Sequence, residues 1–568
     1  MNEQRNIFLA VALSALVLLG WTFLSERFIH PASPPSTQAV PGKEAPAPGP
    51  SAGPVVNAPA VRDRAAVLRT TPRVAIDTPR LKGSINLAGA RIDDLVLTQH
   101  RETIAKNAPP IRLLSPSGAP DAYFAGFGWT GEGVAVPGPQ TVWTASAARL
   151  APGSPVTLSW DNGAGQKFEI RLAVDDGYMF SAEQRVENRG AAPVVVRPYG
   201  LVSRAGKSKD PTSWTMHTGP IGVFNGSADY SVDFKDLDKD GDQRFSTTGG
   251  WIGFGDKYWL TALVPDQAHP VEAAFRHGND TYQADYTPAP ASIAPGKAAA
   301  YGSRFFAGAK EVTLLDGYEA KGNIALFDRA VDWGWFRWFE KPIFYLLDWL
   351  FRMIGNFGIA IMCLTVIIRG LMFPIAQKQF KSMAAMRMLQ PKMKALQDRH
   401  KDDKPRLQQE MAKLYQEEKV NPMAGCLPIA LQIPIFYGLY KVLMLSIEMR
   451  HQPFALWIKD LSAPDPLTPV NLFGLLPFAP PPMLAIGVLP ILVGCTMFLL
   501  QKLNPPAADP TQQQIMMFMP WVMMFIFAPL AAGLQLYYVI NNLLSIAQQR
   551  WLYSRYPAMR AAAAQQAK

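Results

Sequence analysis

Residues 355–374, GNFGIAIMCLTVIIRGLMFP, form an apolar segment that carries one arginine, Arg369. At 1.5 Å rise per residue, about twenty apolar residues are enough for a helix to cross the hydrocarbon core of a bilayer. A guanidinium at the centre of such a helix costs roughly 2.5–3.5 kcal/mol on insertion scales, so by default it indicates a functional site. Because Arg369 lies only five residues before Pro374, its head group can instead reach the interface. Both interpretations stay open on this segment alone.

The cysteine positions and the motifs of the sequence argue against a disulfide-stabilised protein, a Cys/His metalloprotein and an enzyme. The chain has 568 residues, with 55 Lys and Arg against 45 Asp and Glu. Its three cysteines, Cys363, Cys426 and Cys495, all lie in apolar segments, so neither a disulfide framework nor a Cys/His metal cluster is expected. No Ser/His/Asp set, phosphate loop or paired-carboxylate motif stands out in the long middle region. We therefore expect a protein that is not an enzyme and that needs no cofactor or metal.

The first sixty residues predict an anchor and a spacer. Residues 7–24 are an uninterrupted apolar run behind Arg5. A cleaved signal peptide is the alternative, but the run ends in Trp21 and Phe23 without an A-x-A-like exit, which favours an uncleaved transmembrane anchor over residues 1–29. With Arg5 inside, the chain emerges on the outer side of the membrane. Residues 30–60 are rich in proline, with alanine, glycine and serine, and predict an extended linker.

Residues 61–330 read as a soluble all-β domain. Apolar and polar residues alternate in 82–97, 167–174 and 178–186, and glycine, proline and Asx turns recur between such runs. This pattern predicts a large β-sandwich of many short strands. Asp236, Asp238, Asp240 and Gly241 copy the first half of an EF-hand loop, but the twelfth position is Thr247 instead of the bidentate glutamate. We expect an Asp-rich surface turn there rather than a calcium site.

Residues 331–353 mix tryptophan and phenylalanine with charged side chains, which predicts an amphipathic helix lying at the membrane interface; a core helix of the β domain is the alternative. Residues 375–420 show two helical patterns separated by HKDDKP, which predicts a helical hairpin. The hairpin carries eleven Lys and Arg against six Asp and Glu, so the positive-inside rule makes it cytoplasmic. It is either a solvated charged surface or a contact site, for which the candidates are Lys378, Lys381, Arg387, Lys392 and Lys394.

The remaining apolar segments complete a five-span core over residues 354–552. Further spans are predicted at 424–447, 483–500, 515–531 and 534–548, with an outer loop at 448–482 that contains only Arg450 and Lys459 as basic residues. A basic tail, 553–568, follows. With the N-terminal anchor, six spans put both termini in the cytoplasm and the β domain outside.

Polar residues within the predicted spans are few, and none is acidic. Those considered for a site are Thr365, Arg369, Gln432, Gln535, Tyr537, Tyr538, Asn541 and Asn542. Because an unpaired cation in a membrane is tolerated best where it faces water, we infer a hydrated cavity at Arg369 rather than a buried ion pair. Thr365 lies four residues before Arg369 and therefore on the same helix face.

Several long motifs resemble one known family. They are KGSINLAGARIDDLVL, RGLMFPIAQKQFKSMAAMRMLQPKMKALQDRH, EKVNPMAGCLPIALQIPIFYGLY, PFALWIKDLSAPDP and GLQLYYVINN. Together they are similar to the Gram-negative type of the YidC/Oxa/Alb family of membrane protein insertases. The resemblance implies an α-helical polytopic membrane protein with a five-helix insertase core, a cytoplasmic hairpin and a large periplasmic β-supersandwich. It also implies a bacterial inner-membrane location.

The same resemblance implies the site and the partners. Arg369 matches the family's groove arginine, and Thr365 and Tyr538 match positions that contact the incoming segment. Gln432, Asn542 and Gln535 are further groove candidates, although Gln535 is polar where the family pattern suggests an aliphatic residue. The implied partners are nascent membrane proteins, the Sec translocon, ribosome and signal-recognition components, and lipids. The alternatives are a small-solute membrane transporter and a membrane-tethered periplasmic chaperone or binding module, although no internal repeat supports a transporter.

Overall fold

The computed structural model describes residues 61–210, 215–278, 280–400, 403–418, 427–476, 478, 480–481, 485–503 and 510–555. The predicted anchor (1–29) and linker (30–60) lie outside the described residues, as does nearly all of the basic tail (553–568).

Two β-sheets make up the N-terminal part of the described chain. In chain order the strands are β1 Arg73–Asp77, β2 Leu81–Asn86, β3 Arg91–Arg101, β4 Pro110–Leu114, β5 Tyr123–Glu132, β6 Thr144–Ala145, β7 Arg149–Leu150, β8 Val156–Asp161, β9 Gln166–Val174, β10 Met179–Asn188, β11 Val194–Ala205, β12 Gly219–Phe224, β13 Ser227–Asp229, β14 Gln243–Thr248, β15 Trp251–Gly255, β16 Trp259–Val264, β17 Pro270–Gly278, β18 Thr281–Pro288, β19 Ala291–Ile293 and β20 Lys297–Ala309. Among the described residues, one sheet has the order β14-β17-β18-β11-β5-β3-β2-β1-β7, with β19 on β11 and β4 on β3. The other has the order β13-β12-β15-β16-β20-β10-β9-β8-β6.

The alternating segments of the sequence are strands, as predicted. Residues 167–174 lie in β9, and all but the first residue of 178–186 lies in β10. Residues 82–97 cover most of β2, most of β3 and the turn between them. Along β10 the side chains alternate between buried and exposed, because successive residues of a strand point to opposite faces. The buried faces supply a large aromatic core that includes Phe168, Phe180 and Phe305.

The helices follow the strands, apart from two short ones within the β region. They are α1 Arg64–Leu68, α2 Phe234–Asp240, α3 Val312–Gly322, α4 Arg337–Ile354, α5 Phe357–Arg399, α6 Lys404–Glu417, α7 Leu427–Leu445, α8 Val488–Leu503, α9 Pro510–Phe527 and α10 Ala532–Arg555. Helix α4 overlaps the segment predicted to be the interfacial helix in all but its last residue, and its tryptophans Trp338 and Trp349 are exposed.

The interpretation of the Asp-rich segment as a turn is wrong. Asp236, Asp238 and Asp240 lie in α2, which begins after a capping box between Asp233 and Asp236 and is capped at its C-terminus by Gly241. The carboxylate of Asp236 accepts the backbone N–H of Asp233 at 2.9 Å, and Asp238 accepts the hydroxyl of Tyr282 at 2.6 Å. These carboxylates therefore serve the helix terminus and the neighbouring strand, because an N-terminal cap needs acceptors for its free N–H groups.

The predicted hairpin is present, but its first arm is not a separate helix. Helix α5 runs for 43 residues through Pro374 and Pro391, so the apolar segment and the first arm are continuous. Leu389 and Met393 of α5 pack with Leu414 of α6, with Leu396 and Met411 beside them, which are positions that the helical spacing predicted.

One helical segment of the described chain, Phe357–Gln377, is long and apolar enough to cross a bilayer. The other apolar helical segments found there are shorter: Gln432–Leu445, Val488–Leu503 and Gln513–Phe527. The arrangement of six spans therefore stays a prediction.

Candidate substrate groove around Arg369

Arg369 projects from α5 onto α10. Its Nε donates to Asn541 Oδ1 at 2.8 Å, and its Nη2 donates to the Asn541 carbonyl at 3.2 Å and to the hydroxyl of Ser545. The side chain is half-buried, and Nη1 has no hydrogen-bond partner among the described residues. Neutral acceptors thus hold the guanidinium in place, and within the described part of the chain no carboxylate lies within ion-pair distance of it.

Asn541 and Ser545 are the site residues that sequence reasoning missed. Asn541 is among the polar residues of the predicted spans, but the sequence pattern does not pair it with Arg369, and Ser545 is an ordinary serine in that pattern. Both lie on one face of α10 because they are four residues apart. Tyr537, another four residues earlier, extends this face, so a helical spacing of polar residues was the available signal.

Helix α10 connects Arg369 to two other helices through polar contacts. The Gln432 amide of α7 donates to the Tyr537 hydroxyl at 2.9 Å, and the Asn542 amide donates to Thr496 Oγ1 of α8 at 3.0 Å. Asn542 is buried, whereas Gln432 is half-buried. We call the face formed by Arg369, Gln432, Tyr537, Asn541 and Ser545 the polar seam.

Two further predicted groove residues, besides the buried Asn542, do not face an open surface. The Thr365 hydroxyl is buried and donates to the Ile361 carbonyl of its own helix at 2.7 Å. The Gln535 side chain is 0% exposed, and its Nε2 donates to the carbonyls of Phe527 at 2.9 Å and Leu530 at 2.7 Å. Gln535 therefore adds no free amide N–H to the groove, because its Nε2 bonds to free carbonyls where α9 ends.

Tyr538 lies beside the polar seam in an aromatic contact. Its ring centroid is 5.5 Å from that of Phe436 on α7 and 4.6 Å from that of Phe527 on α9. The side chain is half-buried, so part of it remains available to a neighbour in the membrane. Helices α7 and α9 also expose apolar side chains, among them Ile433 at 61% and Phe518 at 67%.

The hairpin candidates divide into two groups. Lys392 is exposed and donates to Glu418 at 2.5 Å, which ties α5 to the end of α6, and Lys394 is exposed as well. Lys378, Lys381 and Arg387 lie on α5, but their side chains are outside the described residues.

A second polar cluster joins α4 to α7 and was not predicted. Glu340 of α4 is 0% exposed, and neither carboxylate oxygen has a hydrogen-bond partner among the described residues. Burial raises the pKa of Glu340 to about 8, although the nearby Lys441 ammonium opposes the shift. Lys441 Nζ donates to the Asp332 carbonyl at 2.7 Å and lies 3.7 Å from the Asp332 carboxylate.

The β-sheet region also contacts the loop after α7. Glu448 accepts the backbone N–H of Val312 at 3.0 Å, and the Arg450 guanidinium donates to the carbonyls of Arg101 at 2.8 Å and Glu102 at 3.3 Å. Burial raises the pKa of Glu448 to about 8. The β region and the helical region therefore share a polar contact surface.

Comparisons with known proteins agree along the chain. A family described as the YidC periplasmic domain matches residues 73–346, and one described as 60Kd inner membrane protein matches residues 349–559. The chain is 52% identical to a membrane protein insertase YidC of Zymomonas mobilis, over 98% of this chain and 96% of the relative. A second membrane protein insertase YidC, from Rhizobium etli, is 46% identical with the same coverage. A crystal structure titled as an active YidC insertase aligns with 84% of this chain and 92% of that chain, at 19% identity and a TM-score of 0.35.

Proposed function

This chain belongs to the YidC family of membrane protein insertases, and we propose that the polar seam around Arg369 receives the polar tail of the client. The seam lowers the cost of moving polar groups across the membrane, because water and fixed hydrogen-bonding groups shorten the path over which the tail is fully desolvated. No covalent step is needed, since insertion only transfers the client from one environment to another.

The proposal rests on the positive charge of Arg369, which no carboxylate of the described residues neutralises. Asn541 and Ser545 orient the guanidinium without neutralising it, and Nη1 stays uncommitted among the described residues. A positive charge held this way attracts acidic side chains and carbonyl dipoles of an entering tail. Because guanidinium–carboxylate hydrogen bonds are charge-assisted, one such contact contributes about 1.5–3 kcal/mol.

The apolar part of the client then moves into lipid along α7 and α9. This step is supported by the exposed apolar side chains of both helices and by Tyr538, which lies between Phe436 and Phe527. The client segment replaces lipid against these side chains, so little free energy is lost when it leaves.

The proposed topology has six spans with both termini in the cytoplasm and the β domain in the periplasm. It is supported by the distribution of basic residues between loops. The proposed domains are the anchor (1–29), linker (30–60), β domain (61–330), interfacial helix (331–353), core (354–552) with its hairpin (375–420), and tail (553–568).

Nascent membrane proteins are the clients, and the exposed Lys392 and Lys394 support a hairpin contact with the ribosome or signal-recognition components. Cooperation with the Sec translocon and contacts with lipids belong to the same proposal.

The test compares Arg369→Ala and Arg369→Lys in cells depleted of the native insertase. Protease accessibility of the outer tail of a single-span reporter measures insertion, with protein levels checked. We expect Arg369→Ala to lower insertion of an acidic-tailed reporter about tenfold, because a charge-assisted contact is lost, and Arg369→Lys to restore most of it.

A matched control is Arg352→Ala on α4, because Arg352 is exposed and pairs with Asp348 at 2.8 Å, away from the polar seam. Full insertion of acidic and neutral tails by Arg369→Ala would refute the role proposed for the charge, leaving Arg369 as a snorkelling residue.

A further inference from the structure

The outer face of the nine-stranded sheet holds a cavity of about 480 Å³. Its floor is formed by Ala173 of β9, Ser181 of β10 and Gly302 of β20, which lie on neighbouring strands. Helix α3 and the segment after it cover the next part of this face, where Phe306 packs against Tyr318 and Phe327. The cavity begins where α3 ends, at Gly322, and its volume falls within the range of small-ligand sites.

The packing around residue 302 does not require a glycine. The register between β10 and β20 is unbroken over ten residue pairs, so no bulge requires it. A Cβ added at Gly302 would meet nothing within 4 Å. Because glycine weakens a strand interior, it often marks a position that another molecule approaches closely. The space above Gly302 is the cavity itself.

Arg304 presents free N–H groups to this cavity. Arg304 Nη1 donates to the Gly322 carbonyl at 2.6 Å, and no carboxylate of the described residues forms an ion pair with Arg304. Burial without such a partner lowers the pKa of Arg304. The carbonyl at the end of α3 thus orients the guanidinium and leaves its other N–H groups free for a ligand.

The acidic residues of the cavity already have partners. The Asp266 carboxylate accepts the Ala268 backbone N–H at 2.8 Å and contacts His269 Nδ1 at 2.8 Å. Glu183 lies 3.8 Å from Arg171 across the β9–β10 pair. The N–H groups of Arg304 that remain free match a planar carboxylate, which a guanidinium fork binds through two parallel hydrogen bonds.

We propose that this cavity of the β domain binds an acidic side chain of a short, extended polypeptide segment, with Arg304 as its carboxylate-binding residue. The volume admits a few side-chain groups and excludes a folded domain. The choice of a polypeptide rests on the insertase function, whose clients expose unfolded segments. The site is independent of Arg369, since it lies on the sheet and not in the helical core.

The test measures binding of a defined peptide to the purified full-length protein in nanodiscs by ligand-observed NMR. The probe is a capped pentapeptide with one central glutamate, and its twin carries glutamine instead. We expect the glutamate peptide to bind at least about tenfold more tightly than the twin, because only it forms a charge-assisted pair. We expect Arg304→Gln to remove this difference and Arg304→Lys to retain part of it.

Two pairs of variants separate the site from general effects on the sheet. Gly302→Phe fills the cavity, whereas Ala300→Phe adds the same ring two residues earlier on the same face, outside the residues that line it. Arg304→Gln is matched by Arg185→Gln, since Arg185 is exposed on the same face beyond the lining. Binding lost in Gly302→Phe and Arg304→Gln but kept in both controls supports the proposal.

Equal binding of both peptides, or equal affinities in all four variants, would overturn it. No insertion reaction is measured, so failure here leaves the role of Arg369 untouched, and failure of the Arg369 test leaves this site untouched. Thermal unfolding of each variant checks that the sheet is intact.

Discussion

Arg369 is held by an amide and a hydroxyl, and this choice of partners preserves its charge. An aspartate in the place of Asn541 would form an ion pair that satisfies the guanidinium and removes the field it presents to a client. A neutral acceptor orients the side chain at a smaller energetic gain, which leaves affinity for an incoming anionic group. The site therefore depends on the absence of a carboxylate partner for Arg369 among the described residues, as well as on its contacts with Asn541 and Ser545.

Asn541→Asp tests this reasoning. We expect the variant to accumulate normally but to insert acidic-tailed reporters several-fold less efficiently, while neutral-tailed reporters change little, because the new carboxylate competes with the acidic tail. Reporter protection in depleted cells gives the measurement. Asn542→Asp is an informative companion, since Asn542 contacts Thr496 and not Arg369. Unchanged insertion of acidic tails by Asn541→Asp would contradict the proposed role of the uncompensated charge.

Helix α4 shows how an element is positioned by a buried polar group. Its exposed tryptophans suit the membrane interface, while Glu340 on the opposite side is enclosed near Gly438 and Lys441 of α7. The Lys441 ammonium is bonded to the Asp332 carbonyl, so it compensates the Glu340 carboxyl only in part. The contact between α4 and α7 is therefore sensitive to protonation.

Glu340→Gln tests that sensitivity through the pH dependence of unfolding. The pKa of Glu340 is raised to about 8 in the folded protein, so the folded state keeps a proton that the unfolded chain has already lost. Its contribution to stability is therefore complete below the unfolded pKa of about 4.3 and falls as the pH rises toward 8. We expect Glu340→Gln to raise the unfolding midpoint by a few degrees at pH 8 and to change it little at pH 5. Equal shifts at both pH values would rule out titration of Glu340 as the cause.

The whole molecule combines a β domain and a helical core that meet through polar contacts. Glu448 and Arg450, in the loop after α7, bond to backbone groups of Val312, Arg101 and Glu102. Of these three residues, only Val312 lies in α3. Because Val312 bonds to Glu448, helix α3 can remain with the core when the strands are removed. The two parts of the chain match separate families, and the match over residues 349–559 covers the helical core. The family to which the whole chain belongs inserts membrane proteins.

A deletion of residues 61–309 that retains α3 tests the division of labour. We expect single-span reporters to insert at a level within about twofold of the intact chain, because the polar seam and the helices α7 and α9 are all retained. Protease protection and membrane fractionation give the readout, and the intact chain carrying Arg369→Ala serves as the negative control. Loss of insertion in a deletion variant that still accumulates in the membrane would favour the β domain as the working part.

The classes of most elements could be predicted from the sequence, although the Asp-rich segment proved to be a helix. Strand alternation, the apolar segment with Arg369 and the helical spacing of the hairpin all depend on local periodicity, which a single chain displays. Tertiary structure decided the partners: Asn541 and Ser545 lie about 170 residues from Arg369, and Glu340 lies about 100 residues from Lys441. Gln535 and Thr365 show the same limit, because their polarity was visible while the carbonyls that accept their hydrogen bonds were not. Periodicity depends on residues that are neighbours along the chain. Whether a polar side chain faces an open groove or forms an internal hydrogen bond depends on how the helices pack.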